Sequence, residues 1–236
     1  MSAEPMDGSQ PSLPPELVER AIYRRGRLEV YDDIVPATTA LLVVDMQNAW
    51  LEAGAPFETP VTRTIVPPIN RLAASLRDAG GLVVWFRHTA APRGAPLSWS
   101  GYYDTHVAER YREHTLAALR EGSEHHAISS RMDLRPGDWT LPKYRFSPFV
   151  RNTADVEALL VARGIDTVIV VGTATNVSVE CTARDAMMRD FRTFVPHDAA
   201  VAPYYDGHLA AMRSIVQLFA DVRPVDALID LIGQRA

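Results

Sequence analysis

The chain has 236 residues, 47% of them hydrophobic and 22% charged, with 24 basic against 29 acidic residues and a formal net charge of −5 at pH 7. That apolar fraction can bury a sizeable core and excludes wholesale disorder, while the acidic balance argues against general binding to nucleic acid or to anionic membrane surfaces. The single cysteine excludes an internal disulfide and a cysteine-based zinc site, and it fits a reducing compartment. The N-terminal MSAEPMDGSQPSLPPE has no basic region followed by an apolar core, and no stretch approaches the ~20 apolar residues of a membrane span, so a cytoplasmic location is expected.

The first fifteen residues are small, polar and Pro-rich and read as a mobile tail, leaving 16–236 as a single domain. Leu17, Val18, Ala21 and Ile22 recur at helical spacing from Glu16 to Arg25 and predict a short helix. Ala40–Val44 is a continuous apolar run ending at Asp45, and Leu82–Phe86 is a second. Thr167–Val171 is the strongest, and Thr193–Val195 is a weaker strand. Apolar runs without alternation predict strands buried on both faces, as in a parallel sheet. Amphipathic helices are predicted between them. One carries Ile69, Leu72, Ala73 and Leu76 and stops at Gly80-Gly81. Others cover 153–163, 177–189, 208–219 and 225–232. The alternation predicts an α/β fold, a three-layer α/β/α sandwich around a central, mainly parallel sheet with Rossmann-like topology. Residues 90–133 break the rhythm. Rich in Pro, Gly, Tyr, Trp and His, with one predicted helix at 107–120, they read as a lid-like insertion over the ligand crevice.

Ligands of such sheets bind at the carboxyl ends of the strands. Asp45 ends the first buried strand, Lys143 follows Trp139–Pro142, and Ser178 lies in the segment that leaves the strongest strand for a helix. Gathered at one edge, these would be a base, a cation and a nucleophile. Each also has a plain reading, as a loop residue, a solvated charge and a helix cap, and spacing alone does not choose between them.

VDMQNAW (44–50), LPKYRFSPF (141–149) and GTATNVSVECTARDA (172–186) resemble, in matching order, the signature segments of the isochorismatase-like cysteine hydrolase superfamily. The wording is most similar to the ureidoacrylate and N-carbamoylsarcosine type of amidohydrolase. The resemblance implies the α/β/α sandwich and a catalytic triad at Asp45, Lys143 and Ser178. It also implies an oxyanion hole of the Ala174 and Ser178 backbone N–H groups and a cis peptide between Thr173 and Ala174. The implied chemistry is hydrolysis of a C–N bond in a small linear amide or ureide through a covalent acyl-enzyme, without a cofactor or metal, in a homodimer or homotetramer.

The sequence departs from that pattern at the nucleophile, where the superfamily has cysteine and this chain has Ser178. Cys181 lies one helical turn on, ~5 Å along the axis from the helix N-terminus that would activate a thiol, and reads as a small buried residue behind the site. Three readings stay open: a Cys-to-Ser variant, a natural enzyme that works through serine or through other chemistry such as vinyl-ether hydrolysis of the isochorismatase type, and a non-catalytic binding member.

Gln47, Asn48, His88, Tyr144, Arg145 and Thr173 are the candidate substrate-binding residues, with Arg145 suited to gripping a substrate carboxylate. Trp50 reads either as pocket floor or as core, and Tyr204-Tyr205 as a cap on the pocket or an interface. Residues 50–66 contain no histidine, so the metal pair of nicotinamidases is not expected. His125-His126 reads as a surface turn, and the single glycine of the Gly172 loop does not match a phosphate-binding P-loop.

Overall fold

Among the described residues six strands form one sheet: β1 (Thr39–Val44), β2 (Leu82–His88), β3 (Trp139–Lys143), β4 (Thr167–Thr173), β5 (Arg192–Phe194) and β6 (Ala200–Val201). The structure is a computed structural model describing Met6 and residues 13–235, so most of the expected N-terminal tail lies outside the described residues. The strands run in the order β3-β2-β1-β4-β5, with β6 beside the C-terminal end of β4, and every pairing between them is parallel. All residues of β1 and β4 are buried, as continuous apolar runs require when helices cover both faces. Pro142 has no N–H to give a ladder, and it lies in β3 at the sheet edge, where one is not needed.

Nine helices occur among the described residues: α1 (Pro15–Arg25), α2 (Asn48–Leu51), α3 (Val66–Asp78), α4 (Ser100–Tyr103), α5 (Glu109–Ala118), α6 (Val156–Ala162), α7 (Glu180–Met187), α8 (Tyr205–Ser214) and α9 (Val225–Gly233). The two-residue alternation of a strand divides the core. Ala40, Leu42 and Val44 face a cluster with Leu17 of α1, Leu160 of α6, Ala183 of α7 and Met212 of α8. Leu41 and Val43 face the other cluster, with Ile69, Leu72 and Leu76 of α3 and Leu228 and Ile232 of α9. The result is the three-layer sandwich expected from the sequence.

Local chemistry moved several expected boundaries. α6 begins at Val156 because Asp155 caps it, its carboxylate accepting from the Ala158 N–H at 3.0 Å. The expected helix 177–189 enters through a π-helical turn at Thr175–Val179, and 208–219 ends in another at Ile215–Phe219. β6 is too short for any periodicity to announce it.

The chain runs outward from β1 through β2 to β3, then returns to place β4 on the other side of β1. A crevice opens at such a reversal, beyond the carboxyl ends of the two central strands. Its walls need close approach. Gly172 has φ +123°, and a Cβ there would lie 2.1 Å from the Val44 carbonyl oxygen. Only glycine lets β4 pass so near the residue before Asp45. Gly172→Ala is therefore expected to cost ~3 kcal/mol or more of folding stability, read as a lowered urea midpoint at unchanged slope. An unshifted midpoint would show that the two strands can separate freely here.

Candidate active site

Three distant segments deliver one cluster. Asp45 follows β1 in a left-handed conformation, φ 58°, that aspartate tolerates better than most residues. Lys143 ends β3 and is fully buried, and Ser178 sits on the π-helical turn leading into α7 with 2% of its surface exposed. Ser178 Oγ donates to Asp45 Oδ2 at 2.5 Å. Lys143 Nζ lies 3.0 Å from the same carboxylate oxygen and donates to Ser178 Oγ at 3.1 Å. Asp45 Oδ1 is buried with no hydrogen-bond partner among the described residues.

Lys143 also contacts His88 Nδ1 at 3.0 Å and the Arg145 carbonyl at 3.3 Å, so its three hydrogens meet four acceptors. An ammonium only donates. His88 Nδ1 must therefore accept, which leaves the ring proton on Nε2 to be donated to the Tyr103 hydroxyl at 3.2 Å. Burial, then the positive charges of Lys143 and Arg145, hold the His88 pKa well below its usual value, and the ring stays neutral. Burial pushes the Asp45 carboxyl up and the Lys143 ammonium down, and in each case the partner's opposite charge is the main opposing influence.

Asp45 and Ser178 open onto a cavity of about 290 Å³. His88 and Ala174 line it, and Trp50 serves both as wall and as core. The peptide between Thr173 and Ala174 is cis. The 90–133 insertion supplies Tyr102, Tyr103, Val107, Thr115 and Leu119 to the wall, and Phe57, Phe146 and Val177 complete it. Sequence reading singled out none of these eight, although the aromatic density of the insertion and Phe146 in LPKYRFSPF were the available signals.

The other candidate binding residues are engaged elsewhere. The Gln47 amide is buried, donating to the carbonyls of His88 and His126 and accepting from the His88 N–H at 2.7 Å, so it braces the cavity floor from behind. Asn48 donates to the Glu124 carbonyl at 2.9 Å and ties the insertion down. Thr173 Oγ1 turns to the Val201 carbonyl and Thr62. The Arg145 guanidinium bonds the carbonyls of Leu97, Ser98 and Tyr144, lies over the Trp99 ring, and does not line the cavity. Tyr144 and Tyr204 do not line the cavity, and Tyr204 is exposed at the start of α8.

Two further residues differ from expectation. His126 is buried rather than on a surface turn, because its 3₁₀ turn folds inward and places Nε2 2.9 Å from Thr89 Oγ1. Cys181 is a turn off register, as expected, but half-buried, and it lines a separate depression with Val150 and Met188. Burial and the neighbouring Glu180 push its thiol pKa up, which disfavours the thiolate. Among the described residues no group of three or more His, Cys, Asp or Glu is placed to hold a metal ion, and no helix is long and apolar enough to cross a membrane.

The profile of the Isochorismatase domain matches residues 39–227. Ureidoacrylate amidohydrolase RutB of Methylobacterium radiotolerans is 34% identical over 210 residues, covering 84% of this chain and 81% of that protein. The protein of the same name from Methylorubrum extorquens is 35% identical over 205 residues, covering 80% and 81%. Among solved structures, a cysteine hydrolase from Pseudomonas syringae superposes with a TM-score of 0.76 at 26% identity, over 88% of this chain and 98% of that one. N-carbamoylsarcosine amidase from Thermoplasma acidophilum superposes with a TM-score of 0.65 at 25% identity, over 80% and 97%.

The scaffold behind the cavity carries a pH signature. Burial lowers the His126 pKa from 6.5 to about 4. The unfolded chain then binds the proton more readily, so stability is retained above about pH 6.5 and falls as pH drops toward 4. Urea midpoints measured across that window should decline with acidification, and less steeply in His126→Gln. Equal slopes in the two proteins would refute a neutral buried His126.

Proposed function

The chain belongs to the Isochorismatase domain family, and from that premise we propose that it hydrolyses a C–N bond of a small linear amide or ureide through an ester on Ser178. One observation carries the reading: the Ser178 hydroxyl is bonded at 2.5 Å to a buried carboxylate, with Lys143 Nζ against both groups.

In the proposed reaction Asp45 takes the Ser178 proton as Oγ bonds to the substrate carbonyl carbon. The backbone N–H groups of Ala174 and Ser178 receive the charge that develops on the carbonyl oxygen. The C–N bond then breaks, the proton on Asp45 passes to the departing nitrogen, and ammonia or an amine leaves. Water attacks the ester carbon, gives one proton to Asp45, and the acid is released as Ser178 recovers its hydrogen.

A serine asks more of its base than a cysteine does, since an alcohol is not ionised at neutral pH. Two features meet that demand. Burial raises the proton affinity of Asp45 above that of an ordinary carboxylate. Lys143 donates directly to Ser178 Oγ, and this contact strengthens as the oxygen becomes negative. Cys181 takes no part, because its side chain lies outside the cavity.

Ammonia release from a panel of primary amides and ureides tests the reading. Ser178→Ala should abolish turnover, and Asp45→Asn should reduce kcat by about 10²–10⁴-fold. Ser178→Cys should remain active and become sensitive to iodoacetamide, to which the serine protein is indifferent. Wild-type turnover that survives Ser178→Ala, or a panel inert to both the serine and cysteine forms, would sink the proposal.

A further inference from the structure

His88 lines the cavity, yet both of its ring nitrogens are engaged by the protein itself. Nδ1 meets Lys143 Nζ at 3.0 Å, and Nε2 meets the Tyr103 hydroxyl at 3.2 Å. The backbone is held as well, because the Gln47 side chain accepts from the His88 N–H at 2.7 Å and donates to its carbonyl at 3.3 Å. The imidazole also pairs with the Trp50 ring, edge on, at 6.4 Å and with the Phe146 ring at 6.3 Å. Only 5% of the residue is exposed. Backbone, ring and both ring nitrogens are therefore fixed without a ligand, as a side chain that orients a neighbour has to be.

The neighbour is Lys143. Its ammonium has three hydrogens and four acceptors in reach: His88 Nδ1 at 3.0 Å, Asp45 Oδ2 at 3.0 Å, Ser178 Oγ at 3.1 Å and the Arg145 carbonyl at 3.3 Å. Two of the four must share. Asp45 Oδ2 and Ser178 Oγ are 2.5 Å apart, close enough for one hydrogen to bridge both. His88 and the Arg145 carbonyl hold the other two. A shared hydrogen can follow the negative charge from the carboxylate to Ser178 Oγ as the hydroxyl proton moves to Asp45. Without an acceptor at His88 Nδ1, a second hydrogen is released to the two oxygens. The ammonium then serves Asp45 fully, and the carboxylate becomes a weaker base.

We propose that His88 is a positioning residue for the hydrolysis: its Nδ1 takes one hydrogen of Lys143 and so leaves a single hydrogen for Asp45 and Ser178 to share. The proposal rests on the amide-hydrolase reading for the effect on turnover, and on geometry alone for the hold on the ammonium. Tyr103 supports the arrangement from the insertion, since accepting from Nε2 keeps the ring proton away from the lysine. A side chain that reads in the sequence as a substrate contact thus acts on the reacting groups through Lys143.

Two variants of one shape test this. Leucine and asparagine side chains have matching outlines, but only asparagine can present an acceptor near the place of Nδ1. His88→Leu should lower kcat by at least about tenfold with KM changed less than about twofold, and His88→Asn should recover most of that loss. Lys143 is the only lysine of the chain, so protein isotopically labelled at lysine Nζ gives one ammonium signal by NMR. That signal should move in His88→Leu and stay near its wild-type position in His88→Asn. The tautomer is read in the wild-type protein itself, where the histidine signal that disappears in His88→Asn should be that of a neutral ring protonated on Nε2. A proton on Nδ1, a loss carried by KM alone, or equal behaviour of the two variants in kcat or in the lysine signal overturns the proposal. If the lysine signal and the tautomer behave as expected and the wild-type protein turns over no amide of the panel, the hydrolase reading fails while the hold of His88 on Lys143 stands.

Discussion

The organisation of the molecule depends on one buried ion pair, Asp45 with Lys143. At 3.0 Å and an effective dielectric constant of about 20, their attraction is ~5 kcal/mol, and burying the two ions costs several kcal/mol each. The two sides nearly cancel, so the pair adds little net stability. Losing one partner is another matter, because the other charge is left stranded at a cost of about 3–5 kcal/mol. What the pair secures is position. It connects the end of β1 to the end of β3 across β2, and the hydroxyl of Ser178 sits against both members.

The surroundings serve that pair. Gly172 allows β4 to approach the carbonyl that precedes Asp45, which brings the Ser178 turn within hydrogen-bond range of the carboxylate. Gln47 holds the His88 N–H and carbonyl, and His88 in turn accepts from Lys143. The Lys143–His88–Tyr103 chain carries this order into the insertion, whose aromatic residues wall the cavity. Arg145 secures the same insertion by gripping the carbonyls of Leu97 and Ser98. An arginine that reads in the sequence as a substrate clamp is thus a fastener of the wall, and its charge is withdrawn from the cavity that it helps to shape.

Much of the fold was legible because continuous apolar runs admit few arrangements. Leu41–Val44 and Val168–Val171 are buried on both faces, which requires helices above and below a parallel sheet. Asp45 stood out as a charge ending such a run, and Lys143 is the only lysine among the chain's 24 basic residues, a compositional signal in its own right. The cavity wall was not legible in the same way. Tyr102 and Tyr103 are neighbours in an irregular segment, and no periodicity relates either of them to Phe57 or Phe146. His126 was misjudged for a similar reason, since the inward fold of its turn depends on Thr89 and Gln47, both far away in sequence.

The sequence by itself determined the layers, the strand edge at which chemistry can gather, and the three signature segments that carry the family resemblance, because these follow from local runs, spacing and residue identity. It also established that the sole thiol lies a helical turn from the serine. Only the tertiary structure decided which polar side chains face the cavity and which are spent holding it together. Gln47, Asn48, Tyr144, Arg145 and Thr173 are all near Asp45, Lys143 or Ser178 in sequence, yet none of them lines the cavity. For Gln47, Asn48, Arg145 and Thr173 the physical reason is that backbone carbonyls and N–H groups need partners, and these side chains are taken up in satisfying them.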